Sequence, residues 1–393
     1  MRITYTSPVR GHQYRYATEF KRLGVLHKHV TGASRWTRAG ALLELNGSLI
    51  RRDFLQSLHL AGFKFKAPEA LTNRLGQMAN ASIDRAAYRP ARESDVLLFY
   101  RTAGCRTAAR LRAERHPCVT VMEEVNSHVD RCHALMRDEY EKLGRGEYPY
   151  HFADHEMRLE AYEQCDFILC PSTFVERSFL EKGFAPQRLL KVNFGFDLTS
   201  FGNRPQFKQT ARDDVFRLLY VGQLNFRKGI RYAVEAFRRL KHPRKEFVLV
   251  GPITKTTGLE GVSLPEGVRV TGILKGEDLA KAYASASAFV LPTIEEGMAL
   301  VLGEAMASGL PVVTTTHSGG EDLISEGVEG FIVPPADEDA LLQAFDKLAG
   351  DPEMTRAMGH AAREKARKLG DWSVATAKLV DELKRAKAMK ERS

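Results

Sequence analysis

A chain of 393 residues with 44% apolar and 27% charged residues is too long for one ordinary core, and its length predicts two globular domains. No run approaches the roughly eighteen apolar residues of a membrane span, and the N-terminal MRITYTSPVRGHQY lacks an apolar leader core, so a cytoplasmic protein is expected. The net charge of +9 resides in the first quarter, where residues 1–100 hold 16 Lys+Arg against 7 Asp+Glu; this implies an anionic partner or a solvated basic face.

In chain order, residues 1–6 predict a strand, SPVRG a turn, 14–23 a helix and 26–31 the next strand. Residues 35–90 read as several helical stretches rich in Arg and Lys with no clean period. Residues 95–100 and 118–123 are apolar on both faces, as in a buried parallel sheet. Residues 166–170 repeat this, followed by Pro-Ser-Thr and a helix over 174–182, where Thr173 and Glu176 fit a capping box. Residues 190–194 close a first domain of 1–197. The polar, aperiodic stretch 198–213 reads as a linker. In a second domain, 214–370, strands at 215–222, 246–251, 268–273, 287–291, 311–315 and 330–333 alternate with helices at 229–240, 277–286, 299–308, 320–326 and 337–349. This predicts α/β architecture with doubly wound parallel sheets, whose ligands bind beyond the carboxyl ends of the strands. The charged tail is helical, and 371–393 is expected to return toward the first domain. Five cysteines, all in the first half and without a C-x-x-C pair, read as free thiols.

Three segments of the second domain end strands at one predicted edge. In Tyr220-Val-Gly-Gln-Leu-Asn-Phe-Arg-Lys-Gly229 a strand runs into Gly222, and a helix starts after Gly229. A cation at a helix N-terminus suits phosphate, so Lys228 and Arg227 are candidate anion ligands, although such cations are also often only solvated. In the second segment, Leu291 to Val312, a loop holds Glu295, Glu296 and Gly297, and a helix carries Glu304 on an otherwise small and apolar face. A buried carboxylate needs a partner, and a sugar diol is a suitable one. The third, Thr314-Thr-Thr-His-Ser-Gly-Gly-Glu321, offers Gly319 and Gly320 for close backbone approach by a ligand, or a plain turn.

Glu296-x7-Glu304 followed by Ala-Met-Ala-Ser-Gly-Leu-Pro-Val resembles the signature of retaining family 4 glycosyltransferases, which have the GT-B fold: two Rossmann-like doubly wound domains facing a central cleft. The stretches 220–229, 271–274 with Leu279, Tyr283 and 289–292, 165–172 and 192–197 resemble further segments of that family. The resemblance implies that Glu304 holds the nucleotide ribose, Glu296 the donor-sugar hydroxyls and Lys228 the diphosphate. Gly222, Gln223, Arg227, Gly297, Met298, Ala299 and Leu300 would line the donor, Leu274 would lie near the base, and His128 would reach the sugar from the first domain. Glu123 and Glu124 nearby read as polar site residues or, more simply, as solvated loop carboxylates. Three positions depart from the pattern: Gln223 stands where the family usually has arginine, Gly11 alone represents a glycine pair, and Phe194 replaces an asparagine.

The implied reaction is sugar transfer from a UDP- or GDP-sugar to a glycan or lipid-linked acceptor hydroxyl, with retention and without cofactor or divalent metal. Asp337-Glu-Asp339 formally matches a metal motif but stands where an acidic helix cap is expected. An epimerase, a phosphorylase or a non-catalytic binding subunit are the alternatives. Nucleic acid is not expected as a partner, since no RNA- or DNA-binding signature occurs. Arg51, Arg52, Lys64 and Lys66 flank the apolar stretch 55–63, which suggests peripheral contact with the inner face of an anionic membrane.

Overall fold

The computed structural model describes residues 1–35, 43–146, 148, 155–202, 214–254 and 256–392. It contains two parallel α/β sheets. The first holds β1 (Ile3–Ser7), β2 (Leu26–Thr31), β3 (Leu49–Arg51), β4 (Val96–Tyr100), β5 (Val119–Glu123), β6 (Phe167–Cys170) and β7 (Leu189–Lys191), in the order 3-2-1-4-5-6-7. The second holds β8 (Phe216–Val221), β9 (Lys245–Val250), β10 (Val268–Gly272), β11 (Ala288–Leu291), β12 (Val312–Thr315) and β13 (Gly330–Val333), in the order 10-9-8-11-12-13. The central strands are buried on both faces, which is why they read as unbroken apolar runs: every residue of β1, β5, β6, β11 and β12 is buried. The strand order reverses between β1 and β4 and again between β8 and β11. Such switch points open a crevice at the carboxyl ends, so the topology alone locates the candidate site.

The structure corrects the reading of residues 35–90. Within the described part, β3 pairs with β2 as an edge strand, and the helices Asp53–Lys64 and Glu69–Arg92 form a hairpin before β4; residues 36–42 lie outside the described residues. A three-residue edge strand carries too little pattern to be seen. The helix expected at 320–326 is only a 3-10 turn, Gly320–Asp322. The cap of the helix Thr173–Leu180 is Ser172, whose hydroxyl accepts the Val175 N–H at 3.3 Å; Thr173 instead faces the other domain. The expected linker begins with a short helix, Leu198–Gly202, and its remainder, 203–213, lies outside the described residues.

The chain crosses between domains a second time near Gly370. There the helix Pro352–Leu369 ends and the helix Trp372–Lys390 begins, capped by Asp371. This last helix packs on the helix His12–Arg22 of the first domain. Lys387 meets Asp95 at 2.5 Å and Lys390 meets Asp166 at 2.7 Å. A side chain on Gly195 would strike the Trp372 backbone at 2.5 Å, so the two crossings lie against each other.

Candidate functional site

At the β8/β11 switch point, β8 leads through Gly222 into a 3-10 turn, Phe226–Lys228, capped by the Asn225 side chain, which accepts the Lys228 N–H at 3.2 Å. Gly229 then takes φ +61° to start the helix Ile230–Arg239. A Cβ there would sit 2.1 Å from the Pro292 carbonyl, so glycine lets this turn lie directly on the loop after β11. The Ile294 N–H donates to the Arg227 carbonyl at 2.9 Å, stitching the two loops together. The stitching brings Lys228 and Glu296 into a direct ion pair, and Arg227 Nη1 reaches the same Glu296 oxygen at 3.0 Å. Burial alone would raise the Glu296 carboxyl; the Arg227 and Lys228 charges outweigh it and hold the group at about 2. Gln223 is exposed, and its side-chain oxygen accepts from Asn225 Nδ2 at 3.3 Å.

Below this pair, the helix Leu300–Ala307 starts at Ala299 with no side-chain cap. The Leu302 N–H donates to the Ala299 carbonyl at 3.1 Å, and the positive dipole end lies at the close of the loop. Glu304 lies mostly buried in that helix, where Tyr283 Oη donates to it at 3.0 Å. Burial raises the Glu304 carboxyl, with Tyr283 opposing the shift. Leu274, just past β10, is half-buried against the core. Met298 and Ala299 are buried, and Met298 Sδ accepts the Phe194 N–H at 3.3 Å.

The neighbouring Glu295 has a function that sequence reasoning missed. It is fully buried and accepts from the first domain: from Asn126 Nδ2 at 3.0 Å, the Ser127 N–H at 2.9 Å and Ser127 Oγ at 3.0 Å. Arg227 Nη1 also bonds it, at 3.2 Å to Oε2 and 2.6 Å to the carbonyl. Arg227 Nη1 is therefore held by two carboxylates, and Lys228 by one. Around it the domains meet closely. Ser172 Oγ donates to the Gly297 carbonyl at 2.5 Å, and a Cβ on Gly297 would lie 1.8 Å from the Val125 carbonyl. Thr173 Oγ1 donates to Asp322 at 2.8 Å, and Gly319, at φ +71°, lies against the Gly297 carbonyl and Ser172. The Gly319–Gly320 turn thus serves domain contact.

Residues expected from the first domain fall elsewhere. His128 caps the helix Val129–Lys142, its Nδ1 accepting the Asp130 N–H at 3.2 Å. Its ring lies between Tyr162 and Phe179, buried, and burial pulls it down to about 4. The structure therefore does not bring it to Lys228 or Glu296. Glu123 and Glu124, expected as solvated, are both buried. Tyr5 Oη donates to Glu123 at 2.6 Å and His12 Nε2 lies 2.7 Å from it; Glu124 pairs with Arg158 at 2.7 Å. Gly11 is exposed beside His12, with extended backbone. Asp337 caps the helix Glu338–Gly350 by accepting the Ala340 N–H at 2.9 Å, and all five cysteines are free and buried.

A family model described as "Glycosyl transferases group 1" matches residues 215–351. The chain is 30% identical over 231 residues to the sulfoquinovosyl transferase SQD2 of Arabidopsis thaliana, covering 56% of this chain and 45% of that protein. It is 26% identical over 236 residues to the amylovoran biosynthesis glycosyltransferase AmsK of Erwinia amylovora, covering 57% of each. The matches span about half the length of these curated relatives. In three dimensions it resembles Anabaena Alr3699/HepE in complex with UDP, with a TM-score of 0.70 at 16% identity over 98% of this chain and 100% of that one. At that identity the likeness concerns the fold, which is GT-B-like.

Proposed function

This chain belongs, through residues 215–351, to the group 1 glycosyl transferases, and from that premise we propose that it is a retaining, metal-independent glycosyltransferase. It would move a sugar from a nucleotide-diphosphate donor to an acceptor hydroxyl. The observation that carries this reading is the Lys228–Glu296 pair at the β8/β11 switch point, with Glu304 one helix below. The donor diphosphate takes Lys228 and the free N–H groups at the start of Leu300–Ala307, while Glu296 turns to the sugar hydroxyls and Glu304 to the ribose. The bond from the anomeric carbon to the diphosphate breaks, and the acceptor oxygen bonds that carbon on the same face. The acceptor proton passes to the departing phosphate oxygen. Negative charge builds on the leaving group, and a preorganised cation beside it is what lowers the barrier. Glu296 and Glu304 are ligands here, not an acid/base pair.

A UDP-sugar is the first donor to test, because the HepE structures are complexes with UDP and with UDP-glucose. The relatives' names, a sulfoquinovosyl transferase and an amylovoran biosynthesis enzyme, favour a glycan or lipid-linked acceptor in cell-surface glycan or glycolipid synthesis. The basic N-terminal quarter is read as reaching such an acceptor from an anionic membrane face; among the described residues no helix is long and apolar enough to cross a membrane. The experiment is a thermal-shift panel of nucleotide sugars followed by a transfer assay in EDTA. A stabilising donor, nucleotide diphosphate release and a glycosylated acceptor are expected. No stabilisation and no transfer, turnover that needs inorganic phosphate, or turnover without acceptor would each replace this reading.

A further inference from the structure

The helical hairpin Asp53–Lys64 and Glu69–Arg92 stands between β3 and β4 on the flank of the first domain. His59 Nδ1 lies 2.8 Å from the Thr72 carbonyl, and Gly62 lets the Thr72 side chain approach, so the two helices are fixed against each other. Yet the outer face is apolar. Phe54, Leu58 and Phe65 recur at helical spacing and are exposed, Phe54 by 74% and Phe65 by 76%. Leu71 and Met78 continue the exposed apolar surface on the second helix, and all the exposed phenylalanines among the described residues lie in this hairpin. A concentration of this kind marks an interaction surface.

The same face of the second helix changes character along its length. From Met78 it runs through Ser82 to Arg85 and Arg89, and there it borders a groove of about 1000 Å³. Arg52, Arg106 and Arg110 complete the basic lining. Arg110 is committed to Glu114 at 2.9 Å and stacks over Tyr88. Arg85 and Arg89 have no hydrogen-bond or ion-pair partner among the described residues; Arg52 Nη1 donates to the Arg51 carbonyl at 3.1 Å, and the Arg106 charge acts on Asp84. The one acid lining the groove, Asp84, has both oxygens on backbone N–H groups, those of Arg106 and Thr107, at 2.9 Å each. The uncommitted guanidinium groups of Arg85 and Arg89 favour phosphate oxygens, and an adjoining apolar stripe favours acyl chains over a polar solute.

We propose that this groove seats the phosphate of an anionic membrane lipid, with Phe54, Leu58, Phe65, Leu71 and Met78 inserted among the acyl chains. The proposal rests on the reading of a peripheral membrane contact and assigns its site. The test is co-sedimentation of the full chain with vesicles of phosphatidylcholine containing about one-third phosphatidylglycerol, against phosphatidylcholine alone. The R85A/R89A variant removes two exposed groove cations, and R269A/K378A removes the same charge from exposed positions elsewhere. The expected result is binding to the anionic vesicles only, about thirty-fold weaker in R85A/R89A at about 1 kcal/mol per basic residue, and unchanged in R269A/K378A. Donor stabilisation should be unchanged in both variants, which separates this site from the transferase reading. If the unaltered protein ignores the vesicles, the membrane contact itself falls. If both variants weaken alike, the groove assignment falls and general charge remains. If millimolar glycerol 3-phosphate releases the protein, the groove is a site for a soluble phosphate.

Discussion

Replacing Lys228 with alanine isolates the charge on which the proposed chemistry depends. In the resting site the lysine ammonium and Arg227 Nη1 share one oxygen of Glu296. Removing the lysine therefore leaves the carboxylate one cation at 3.0 Å, and the penalty of about 3–5 kcal/mol for a stranded buried charge does not arise in full. A stability loss of about 1 kcal/mol, one charge-assisted hydrogen bond, is expected in denaturant unfolding. The kinetic effect is larger. Arg227 is tied to Glu295 and its carbonyl, and Gln223 brings no charge, so the proposed diphosphate contact in this loop falls to Lys228. Losing one preorganised group aimed at developing charge lowers kcat by about a hundred- to a thousandfold, some 3–4 kcal/mol. The assay is steady-state release of nucleotide diphosphate at saturating donor and acceptor, with a melting curve alongside. A kcat within about threefold of the unaltered protein would refute the assignment; a raised KM at constant kcat would reduce Lys228 to ground-state binding.

Alanine at Glu295 strips Arg227, Asn126 and Ser127 of a common acceptor, so urea unfolding should show a loss of about 3–5 kcal/mol, much reduced in E295Q. Alanine at Gly297 places a methyl 1.8 Å from the Val125 carbonyl; the domains must part, and small-angle scattering should record a larger radius together with at least a tenfold loss of turnover. The Glu304 carboxyl titrates above its usual range because it is buried, so donor KM should begin to rise on acidification while ordinary glutamates are still ionised, and E304Q should flatten that profile. Glu296, held at about 2, contributes stability that is present above its unfolded value of about 4.5 and is lost as pH falls from there toward 2; E296Q should remove that portion of the acid-unfolding curve.

The strands of the second domain were legible to within about two residues, because parallel strands buried on both faces read as apolar runs cut by glycine and proline. The meeting of Lys228 and Glu296 was legible for a related reason: each lies in a loop after such a run, and β8 and β11 are neighbours in the sheet. β3 was not, since three edge residues show no period. The direction of the His128 ring was not legible, because it is set by the capping bond to Asp130, which a loop reading cannot supply.

Glu295 shows the harder limit. It and Glu296 are adjacent, alike in type and both carried by one loop, yet Glu295 binds Ser127, 168 residues away, while Glu296 faces Lys228. Only the folded contact separates the residue that ties the domains from the residue that pairs with Lys228. Arg227 Nη1 touches both carboxylates, which makes one guanidinium the physical link between the domain interface and the Lys228–Glu296 pair. A donor that draws Glu296 toward its hydroxyls leaves that guanidinium to Glu295 alone. Since a charge shared between two carboxylates binds each less firmly than a charge held by one, donor binding on the proposed reading is expected to tighten the contact that keeps the domains together.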